Sequence, residues 1–475
     1  MKQNDILQLE IADVGVGGEG IAHKDGATVF VPFALPGETV KVKVNHVKRD
    51  LVFADILEVL TPSPLRVYVP CNRYRRCGGC DLLHVEYAEQ LEIKRRAVAT
   101  TLSKAGVEVE VEPCVPSPHP LAYRNKIMLP FGRVDGKAKL GFYHEGSHKI
   151  VPIGKCFLHG EWATQLIAAT LAYADKYQLS AYDPATGRGL LRHLVARIYP
   201  EGLDVTLVVN ASGAPHLSDY YRSLTEIHPH VALYVSPNTK PNNVILGSSV
   251  RLVAGSPIVT TIDGIKVSVN PLSFLQVNDD IRKGIYDRVR EMVGAHEGSV
   301  VIDAFAGVGV LGATMAKCGA EVHNIEIVPE AVEDADALAK ANGLADKVHN
   351  HLGDSAELLP QVLSEVQGRT VSVVLDPPRK GCPRSVLTAV NELASAEEPA
   401  FAAQSVGFDG GVEKRVPARS RIDKLVYISC NPATLARDLA ILGESYKVES
   451  VTPWDMFPQT KHVETLVLLR RRFED

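Results

Sequence analysis

The chain has 475 residues, enough for about three domains of roughly 150 residues each. Hydrophobic residues make up 45% of the chain and charged residues 23%, which excludes a disordered or fibrous protein. The formal net charge of −5 excludes a uniformly basic, histone-like binder. The first residues show no basic and then apolar leader, and no run of about 18 apolar residues occurs, so we expect a cytoplasmic protein without a membrane span.

Basic residues nevertheless cluster near the beginning of the chain. The clusters are Lys41, Lys43, His46, Lys48 and Arg49, then Arg73, Arg75 and Arg76, then Lys94, Arg95 and Arg96. Such clusters are typical of a nucleic-acid contact surface, but they also occur on ordinary solvated faces. The sequence leaves both interpretations open.

Residues 1–62 predict a small β-barrel of about five strands. Short runs such as Val40-Lys41-Val42-Lys43-Val44 alternate apolar and polar residues, which is the period of a strand with one buried face. Glycines separate these runs, and Pro62 and Pro64 close the segment. Several short strands with frequent turns favour a small closed β fold.

Residues 63–270 predict a second domain of α+β type. A helix is expected from about Tyr87 to Gly106, because Leu91, Val98 and Leu102 recur at helical spacing and Gly106 can adopt a left-handed cap. We expect this helix to pack on the C-terminal domain, residues 271–475. Residues 110–260 are mostly strand-like, with one helix near 160–178.

Residues 271–475 predict a doubly wound α/β domain. Apolar strands alternate with helices from about residue 280, and the strands are expected over 299–303, 321–326, 371–375, 425–428 and 462–469. This alternation predicts a mainly parallel sheet with helices on its faces. Residues 396–420 have little periodicity and are expected to form an exposed insertion loop.

A glycine-rich turn follows the first strand of this last domain. In the run that begins at Asp303, Gly307 and Gly309 lie between a strand and a helix, where the backbone can approach a ligand closely. Glu326 ends the next strand, 23 residues after Asp303, a distance suited to binding both hydroxyls of a ribose. The pattern favours S-adenosylmethionine over a dinucleotide, and the alternative is a plain tight turn with an exposed Glu326.

Reactive side chains lie at three further strand ends. Asp376 begins the motif Asp376-Pro377-Pro378, which is similar to motifs of nitrogen methyltransferases and can equally be a rigid loop. Cys430 follows an apolar strand, where a thiol is either a nucleophile or a small buried apolar side chain. Glu464, at the start of the last strand, is a carboxylate that can act as a base beside it.

Three cysteines cluster on an arginine-rich loop, and a fourth lies further along the chain. These are Cys71, Cys77, Cys80 and Cys156. Thiolates at such spacings bind zinc or an iron–sulfur cluster, and clustered thiols in a reducing compartment indicate metal binding rather than disulfides. The cysteines without a partner pattern are assigned to packing, namely Cys114, Cys318 and Cys382.

Together these motifs resemble the S-adenosylmethionine-dependent RNA uracil-5-methyltransferases, in particular the branch that acts on 23S ribosomal RNA. The resemblance covers nearly the whole chain. It implies that residues 1–62 form a TRAM domain, an OB-type RNA-binding barrel, and that the central domain carries a 4Fe-4S cluster on the four cysteines. It further implies a Rossmann-like catalytic domain, RNA as the partner and a monomeric chain.

The resemblance also implies roles for individual residues. Cys430 matches the nucleophile and Glu464 the general base. The positions that match the cofactor site are Gln276, Phe305, Gly307, Gly309, Glu326, Asp354 and Asp376. Residues 123–126 and 274–278 match segments that line the active site, with Phe274 available to stack on a flipped base. Val310 stands where one branch has Asn, and the insertion over 396–420 has no assigned role.

The chemistry of the target atom explains why both a thiol and a base are expected. Carbon 5 of uracil is too weakly nucleophilic to take a methyl group from a sulfonium unless a thiolate first adds to carbon 6. A base must then remove the carbon 5 proton. A nitrogen methyltransferase needs neither group and is the alternative enzyme; transfer RNA is the alternative substrate. An RNA-binding or iron–sulfur sensing protein is the alternative without catalysis.

Overall fold

The computed structural model describes residues 1–144, 146–147, 149–241, 243–366, 369–395 and 421–472. The insertion expected over 396–420 lies outside the described residues. Within those residues, no helix combines the length and the apolar character that a membrane crossing requires.

The N-terminal part forms a six-stranded sheet in the order β1-β5-β6-β4-β3-β2. Its strands are β1 (Ile6–Glu10), β2 (Asp13–Val14), β3 (Gly20–Lys24), β4 (Ala27–Val31), β5 (Thr39–Lys48) and β6 (Leu51–Thr61). Along β5 Val40, Val42 and Val44 are buried, whereas Lys41 and Lys43 are exposed, as the alternation predicts. The sheet has one strand more than the five predicted, because β2 is too short to show any alternation.

A helix and a seven-stranded sheet follow. The helix α1 (Tyr87–Lys104) buries Val98 and Leu102 in the core of the C-terminal sheet, and Gly106 beyond it has a left-handed φ of +78°. The central sheet has the order β13-β12-β11-β10-β7-β8-β9. Its strands are β7 (Lys126–Val134), β8 (Lys137–Tyr143), β9 (Ile150–Pro152), β10 (Leu191–Tyr199), β11 (Gly202–Val209), β12 (Val231–Pro237) and β13 (Arg251–Gly255).

Two helices pack on the central sheet. The helix α2 (Glu161–Lys176) was expected near 160–178, and its buried face includes Leu166 and Ile167. The sequence does not predict α3 (Leu217–Thr225), which buries Tyr220 and Leu224. This helix has only nine residues, too few to show a periodicity among strand-like neighbours. A hairpin of β14 (Val259–Ile262) and β15 (Ile265–Ser268) follows.

The C-terminal sheet has seven strands in the order β18-β17-β16-β19-β20-β22-β21. The strands are β16 (Val300–Asp303), β17 (Glu321–Glu326), β18 (Val348–Leu352), β19 (Thr370–Leu375), β20 (Arg421–Ser429), β21 (Tyr446–Trp454) and β22 (Glu464–Arg471). The helices are α4 (Asp279–Val293), α5 (Val310–Lys317), α6 (Pro329–Ala341), α7 (Ser355–Glu365), α8 (Arg384–Ser395) and α9 (Pro432–Leu442). Neighbouring strands from β18 to β20 are parallel, and β22 is antiparallel to both β20 and β21.

The strand order reverses at the centre of this sheet. From β16 the chain proceeds outward through β17 and β18, and it then returns to β19 on the other side of β16. In doubly wound sheets, ligands bind in the crevice outside the carboxyl ends of the strands at such a reversal. The fold therefore places the ends of β16 and β19 at the centre of the candidate site.

Candidate active site

Two aspartates lie at the point where the strand order reverses. Asp303 ends β16 and is 2% exposed, and Asp376 directly follows β19. Burial raises the pKa of Asp303 to about 7 and that of Asp376 to about 7, and the charge of Asp303 adds to the shift of Asp376. Two buried carboxyls of raised pKa favour a cation between them, because a positive charge stabilises their ionised forms.

The glycine-rich turn between β16 and α5 holds Glu326. Its Oε2 accepts a hydrogen bond of 2.9 Å from the Gly307 amide, and its Oε1 accepts bonds of 2.9 Å from the amides of Ile327 and Val328. Three backbone donors fix the direction of the carboxylate, which keeps acceptor capacity for a ligand hydroxyl. A Cβ added at Gly307 would meet no atom within 4 Å, so this turn is open toward a ligand.

The second glycine of the turn is required by close packing. Gly309 has a φ of +75°, and a Cβ there would lie 3.2 Å from the Ala335 Cβ. Val310, the next residue, is 3% exposed and belongs to an apolar core with Val267 and Ala313. The side chain at this departure from the family pattern therefore packs inside the protein.

Cys430 and Glu464 lie at the carboxyl side of the same sheet. Ser429 pairs with Thr465 in the antiparallel register of β20 and β22, so Cys430 and Glu464 are the next residues at one end of this pair. Cys430 is half-buried, and Glu464 is 3% exposed. The sequence predicts these two residues separately, and the strand pairing brings them together.

The charges of four side chains act on one another at this position. The pKa of Cys430 is raised to about 11, mainly by burial and next by the carboxylate of Glu464, while the cation of Arg379 opposes the shift. Burial also raises the pKa of Glu464 well above its usual value; Asp376 adds to the shift and Arg379 opposes it. Arg379 thus supplies the positive charge of the site, a role that the sequence did not indicate.

Hydrogen bonds hold the loop of Arg379 against the turn of Cys430. The side-chain amide of Asn431 donates to the Arg379 carbonyl at 3.3 Å, while its oxygen accepts from the Ala433 amide at 3.0 Å and caps α9. Cys382 lies further along the loop of Arg379, and its amide donates a hydrogen bond of 2.8 Å to the buried Asp438 of α9. Sequence motifs do not reveal this support, because its residues belong to two separate connections.

A buried ion pair anchors the segment that leads to Glu464. The side chains of Lys94 in α1 and Asp455 form a salt bridge, and both are fully buried. Lys94 Nζ also donates to the Phe457 carbonyl at 3.0 Å, and the Tyr87 hydroxyl donates to Asp455 at 2.8 Å. Residues 455–463, called here the base loop, are therefore fixed to α1.

The cysteine-rich segment is also bonded to the base loop. The amides of Asp81 and Leu82, directly after Cys80, donate to the carbonyl of Gln459 at 3.1 and 3.0 Å. Gln459 has a φ of +69°. Its side-chain oxygen accepts a hydrogen bond of 3.0 Å from Gln90 Nε2 of α1, and its backbone amide donates one of 3.0 Å to Gln90 Oε1. The position of the base loop thus depends on the segment that carries the cysteines.

The two segments that match active-site stretches contact each other. The Asn125 amide donates to the Val277 carbonyl at 3.0 Å. At one end of residues 270–278, Ser273 donates to Asp334 of α6 at 3.1 Å; at the other, buried Asn278 donates to the Met456 carbonyl at 3.4 Å. This segment therefore extends from the side of Glu326 to the base loop, and it includes Gln276 and Phe274, which is 72% exposed.

The other predicted cofactor positions lie at the same sheet edge. Asp354 follows β18, and its carboxylate accepts a hydrogen bond of 2.8 Å from the Ala356 amide as the N-cap of α7. The Gly353 amide before it donates to the Glu326 carbonyl at 3.0 Å, which joins the two connections. Phe305 is partly buried against the apolar core of the sheet.

The four clustered cysteines line one cavity, together with Arg124. Burial raises the pKa of Cys77 to about 11, and burial also raises the pKa values of Cys80 and Cys156; the charges of neighbouring thiols contribute to each shift. Four thiols around one cavity are a suitable ligand set for zinc or for an iron–sulfur cluster.

The basic clusters have different surroundings in the structure. Lys94 is buried in the ion pair with Asp455, Arg95 pairs with Glu92 at 2.7 Å, and Arg96 pairs with Glu89 at 2.8 Å. In this cluster Lys94 is therefore not available to a nucleic acid, whereas Arg95 and Arg96 remain partly exposed in their ion pairs.

A second set of basic residues lines a cleft of about 1930 Å³ beside the central sheet. These residues are Arg73, Arg76, Arg133, Lys137, Lys149, Arg188 and Arg192. On the N-terminal sheet, exposed Phe53 stacks on Phe30 with ring centroids 5.4 Å apart, close to His46. Cationic clefts and exposed aromatic rings are the features that bind single-stranded nucleic acid.

Comparison with known proteins gives the family. The model of the TRAM domain matches residues 2–57, that of the TRM5/TYW2 methyltransferase domain matches residues 266–376, and that of tRNA (Uracil-5-)-methyltransferase matches residues 405–472. An uncharacterized RNA methyltransferase of Clostridium tetani is 35% identical over 475 residues, which covers 99% of this chain and 97% of that protein. One of Halalkalibacterium halodurans is 35% identical over 477 residues, with 99% and 98% covered.

Among solved structures, the chain is similar to the tRNA (uracil-54, C5)-methyltransferase of Pyrococcus abyssi in complex with S-adenosyl-L-homocysteine. The TM-score is 0.74 at 27% identity, and the match covers 97% of this chain and 99% of that chain. Fold and site thus define an S-adenosylmethionine-dependent RNA methyltransferase. Within that class, the chain belongs to the RNA uracil-5-methyltransferase family with a TRAM domain. The expectations of a TRAM domain, of S-adenosylmethionine and of RNA are confirmed.

Proposed function

We propose that this enzyme methylates carbon 5 of a uridine in RNA through a covalent adduct on Cys430. The observation that carries the proposal is the placement of a thiol and a buried carboxyl at one end of the β20–β22 pair, beside Arg379 and Asp376. Nitrogen methylation requires neither the thiol nor the base, so this pair favours carbon over nitrogen as the acceptor.

The residues at the strand ends fit S-adenosylmethionine by their chemistry. Glu326 would accept the ribose hydroxyls, the backbone at Gly307 and Gly309 would approach the cofactor, and Asp376 would face its cation. Phe305, Asp354 and Gln276 complete the proposed contacts. When bound, the cofactor supplies a methyl group on a positively charged sulfur.

Each chemical step is assigned to a side chain of this protein. The Cys430 thiolate would form a bond to carbon 6 of the uracil, and the electron pair of the C5–C6 double bond would make carbon 5 nucleophilic. As carbon 5 bonds to the methyl carbon, the bond from that carbon to the sulfonium sulfur would break and leave a neutral thioether. Glu464, as carboxylate, removes the proton from carbon 5. The electron pair of that C–H bond restores the ring double bond, the carbon–sulfur bond breaks and the Cys430 thiolate is released.

The positive charge of Arg379 supports two of these steps. It lowers the pKa of Cys430 and that of Glu464, against burial, which raises both. Its cation therefore favours the thiolate needed for attack and the carboxylate needed for proton removal. The hydrogen bonds of Asn431 hold the Arg379 backbone beside the turn of Cys430.

The experiment that tests the adduct uses RNA that contains 5-fluorouridine. Fluorine at carbon 5 cannot leave as a proton does, so the wild-type enzyme should remain attached to the RNA in a denaturing gel. A Cys430→Ala variant should show neither attachment nor methyl transfer. A Cys318→Ala variant, which changes an exposed cysteine elsewhere, should behave as wild type. Full methyl transfer by the Cys430→Ala variant would contradict the proposed covalent adduct.

We propose further that Cys71, Cys77, Cys80 and Cys156 hold a 4Fe-4S cluster. The four thiols line one cavity, and the resemblance of the motifs to the family favours a 4Fe-4S cluster over zinc. When bound, the cluster would connect the loop of the first three cysteines to the segment of Cys156. The hydrogen bonds of Asp81 and Leu82 would then transmit this rigidity to the base loop.

Iron and sulfide analysis of protein purified without oxygen tests the cluster. Wild type and Cys318→Ser should be brown and contain iron and sulfide in equal amounts, whereas Cys80→Ser should lose both. A colourless wild-type protein with stoichiometric zinc would contradict this assignment.

For the substrate we propose 23S ribosomal RNA, on the resemblance of the motifs to that branch. The similarity to an archaeal protein that is a tRNA methyltransferase favours transfer RNA as the second candidate. Both candidates share the basic cleft and the N-terminal sheet as proposed contact surfaces. Mapping of 5-methyluridine in both RNA classes from cells that lack this gene decides between them, because only the true substrate loses a modification.

A further inference from the structure

Three histidines lie together in the methyltransferase sheet, on the side of β16 away from Cys430. His323 is in β17, while His349 and His351 are in the edge strand β18. The parallel register pairs His323 with His349, and side chains two residues apart on a strand share a face, so all three lie on one face of the sheet. The chemistry proposed above uses none of them.

His323 and His351 direct two imidazole nitrogens toward each other. Nδ1 of His323 lies 3.1 Å from Nε2 of His351. Two nitrogen ligands of a tetrahedral zinc ion, at about 2.0–2.1 Å from the metal, lie about 3.4 Å apart. Ligand atoms of His323, His351 and Glu365 all lie within 4.8 Å of one another. Glu365 ends α7 and is exposed, so the position is accessible from solvent.

A carboxylate holds the other nitrogen of the His323 ring. Nε2 of His323 lies 3.2 Å from Oε1 of Glu321, and Glu321 in turn pairs with Arg369. Histidines that bind metals donate their second N–H to a carboxylate in this way, which fixes the tautomer and the ring orientation. The proton is thereby placed on Nε2, and the Nδ1 lone pair points toward His351.

From this geometry we infer that His323, His351 and Glu365 form a site for a divalent transition-metal ion, with Zn²⁺ as the best match. Two imidazoles and one carboxylate are the protein ligands of known zinc sites that keep a fourth position for water. A bound ion would join the edge strand β18 to α7 and β17. Co²⁺ and Ni²⁺ suit the same ligand types and serve as spectroscopic probes.

A second set of ligand atoms is also close together, in Glu321, His323 and His349. This set is less suitable, because Glu321 already pairs with the Arg369 cation and a second positive charge there is unfavourable. His349 is therefore the matched control for His351: both are half-buried histidines of β18, two residues apart.

The experiment titrates Zn²⁺ into full-length enzyme that carries its cysteine-bound group and was treated with a chelator. Calorimetry on wild type, His351→Gln, Glu365→Gln and His349→Gln gives the number of ions bound. Wild type and His349→Gln should each bind one ion with similar affinity. The affinity for this ion should fall roughly 100-fold in His351→Gln and roughly tenfold in Glu365→Gln. Binding at the cysteines is common to all four proteins and cancels in the comparison.

Two further measurements separate metal binding from misfolding. Zn²⁺ should raise the thermal midpoint of wild type and of His349→Gln but not that of His351→Gln, while all three midpoints agree in the presence of chelator. The Co²⁺ difference spectrum between wild type and His351→Gln should show no thiolate charge transfer. Equal Zn²⁺ stoichiometry and affinity in wild type and His351→Gln would overturn the inference, as would loss of the ion in His349→Gln alone.

Discussion

Cys430 and Glu464 face each other at the end of two antiparallel strands. Their neighbours Ser429 and Thr465 are cross-strand partners, so one further step of the register sets the thiol opposite the carboxyl. Facing residues of an antiparallel pair have Cβ atoms about 5 Å apart. The proposed nucleophile and the proposed base are thus positioned by backbone pairing within the sheet.

This relationship predicts a trapped intermediate in a Glu464→Gln variant. Glutamine preserves the volume of the buried side chain but cannot remove the carbon 5 proton, so the methylated adduct on Cys430 should accumulate on unmodified RNA. Turnover should fall by roughly 10²–10⁴-fold, the usual contribution of a general base. Denaturing gels with labelled RNA measure the adduct. Glu444→Gln, an exposed change on the same domain, is the control, and wild-type turnover by Glu464→Gln would contradict the role.

The rate of adduct formation should rise with pH. Burial raises the pKa of Cys430 to about 11, and only the thiolate attacks, so alkaline pH increases the reactive fraction. An Arg379→Met variant loses the cation that lowers this pKa, and its rising limb should move to higher pH by up to about one unit. Single-turnover rates over a pH series measure the shift. Lys380→Met, at the exposed neighbouring position, should keep the wild-type profile.

Replacement of Lys94 should destabilise the enzyme strongly. A Lys94→Met variant leaves the fully buried Asp455 without its cation, which costs about 3–5 kcal/mol of unfolding free energy. Denaturant unfolding measures this loss. Lys104→Met, exposed at the end of the same helix, should change stability by less than about 0.5 kcal/mol. The double variant Lys94→Met/Asp455→Leu should recover part of the loss. Equal stability of the Lys94→Met variant and the Lys104→Met control would count against a buried ion pair.

A Glu326→Gln variant should bind S-adenosylmethionine more weakly. The amide keeps the side-chain length but loses the charge and one acceptor, and hydrogen bonds to charged groups contribute about 1.5–3 kcal/mol, or roughly 10–100-fold in affinity. Calorimetry with the cofactor alone measures the change. Glu330→Gln, exposed at the start of α6, is the control. An unchanged affinity of Glu326→Gln would exclude a ribose contact.

The reactive groups could be predicted from the sequence because each follows or begins an apolar strand. Cys430 follows β20, Asp376 follows β19 and Glu464 begins β22, so their type and position in the chain were visible. What was not visible is which strands are neighbours, and Arg379 therefore received no role. Its charge acts on Cys430 across two connections that are distant in sequence.

The strands that the sequence missed are the two edges of the C-terminal sheet. β18 reads Val-His-Asn-His-Leu and β21 contains Lys447 and Glu449, so neither is a continuous apolar run. An edge strand has one neighbour and partly solvated side chains, and it needs less apolar sequence than a central one. For a related reason, composition does not reveal that Asp455 neutralises Lys94 in the third basic cluster.

The contacts of the base loop have a consequence for synthesis of the protein. Lys94 is bonded to Asp455 across 361 residues, and Asp81 accepts a hydrogen bond from the Lys461 amide across 380. In a nascent chain Lys94 therefore has no partner until almost all of the polypeptide has left the ribosome. Contacts of such long sequence separation form late in folding. The base loop accordingly takes its position only once both ends of the polypeptide have met.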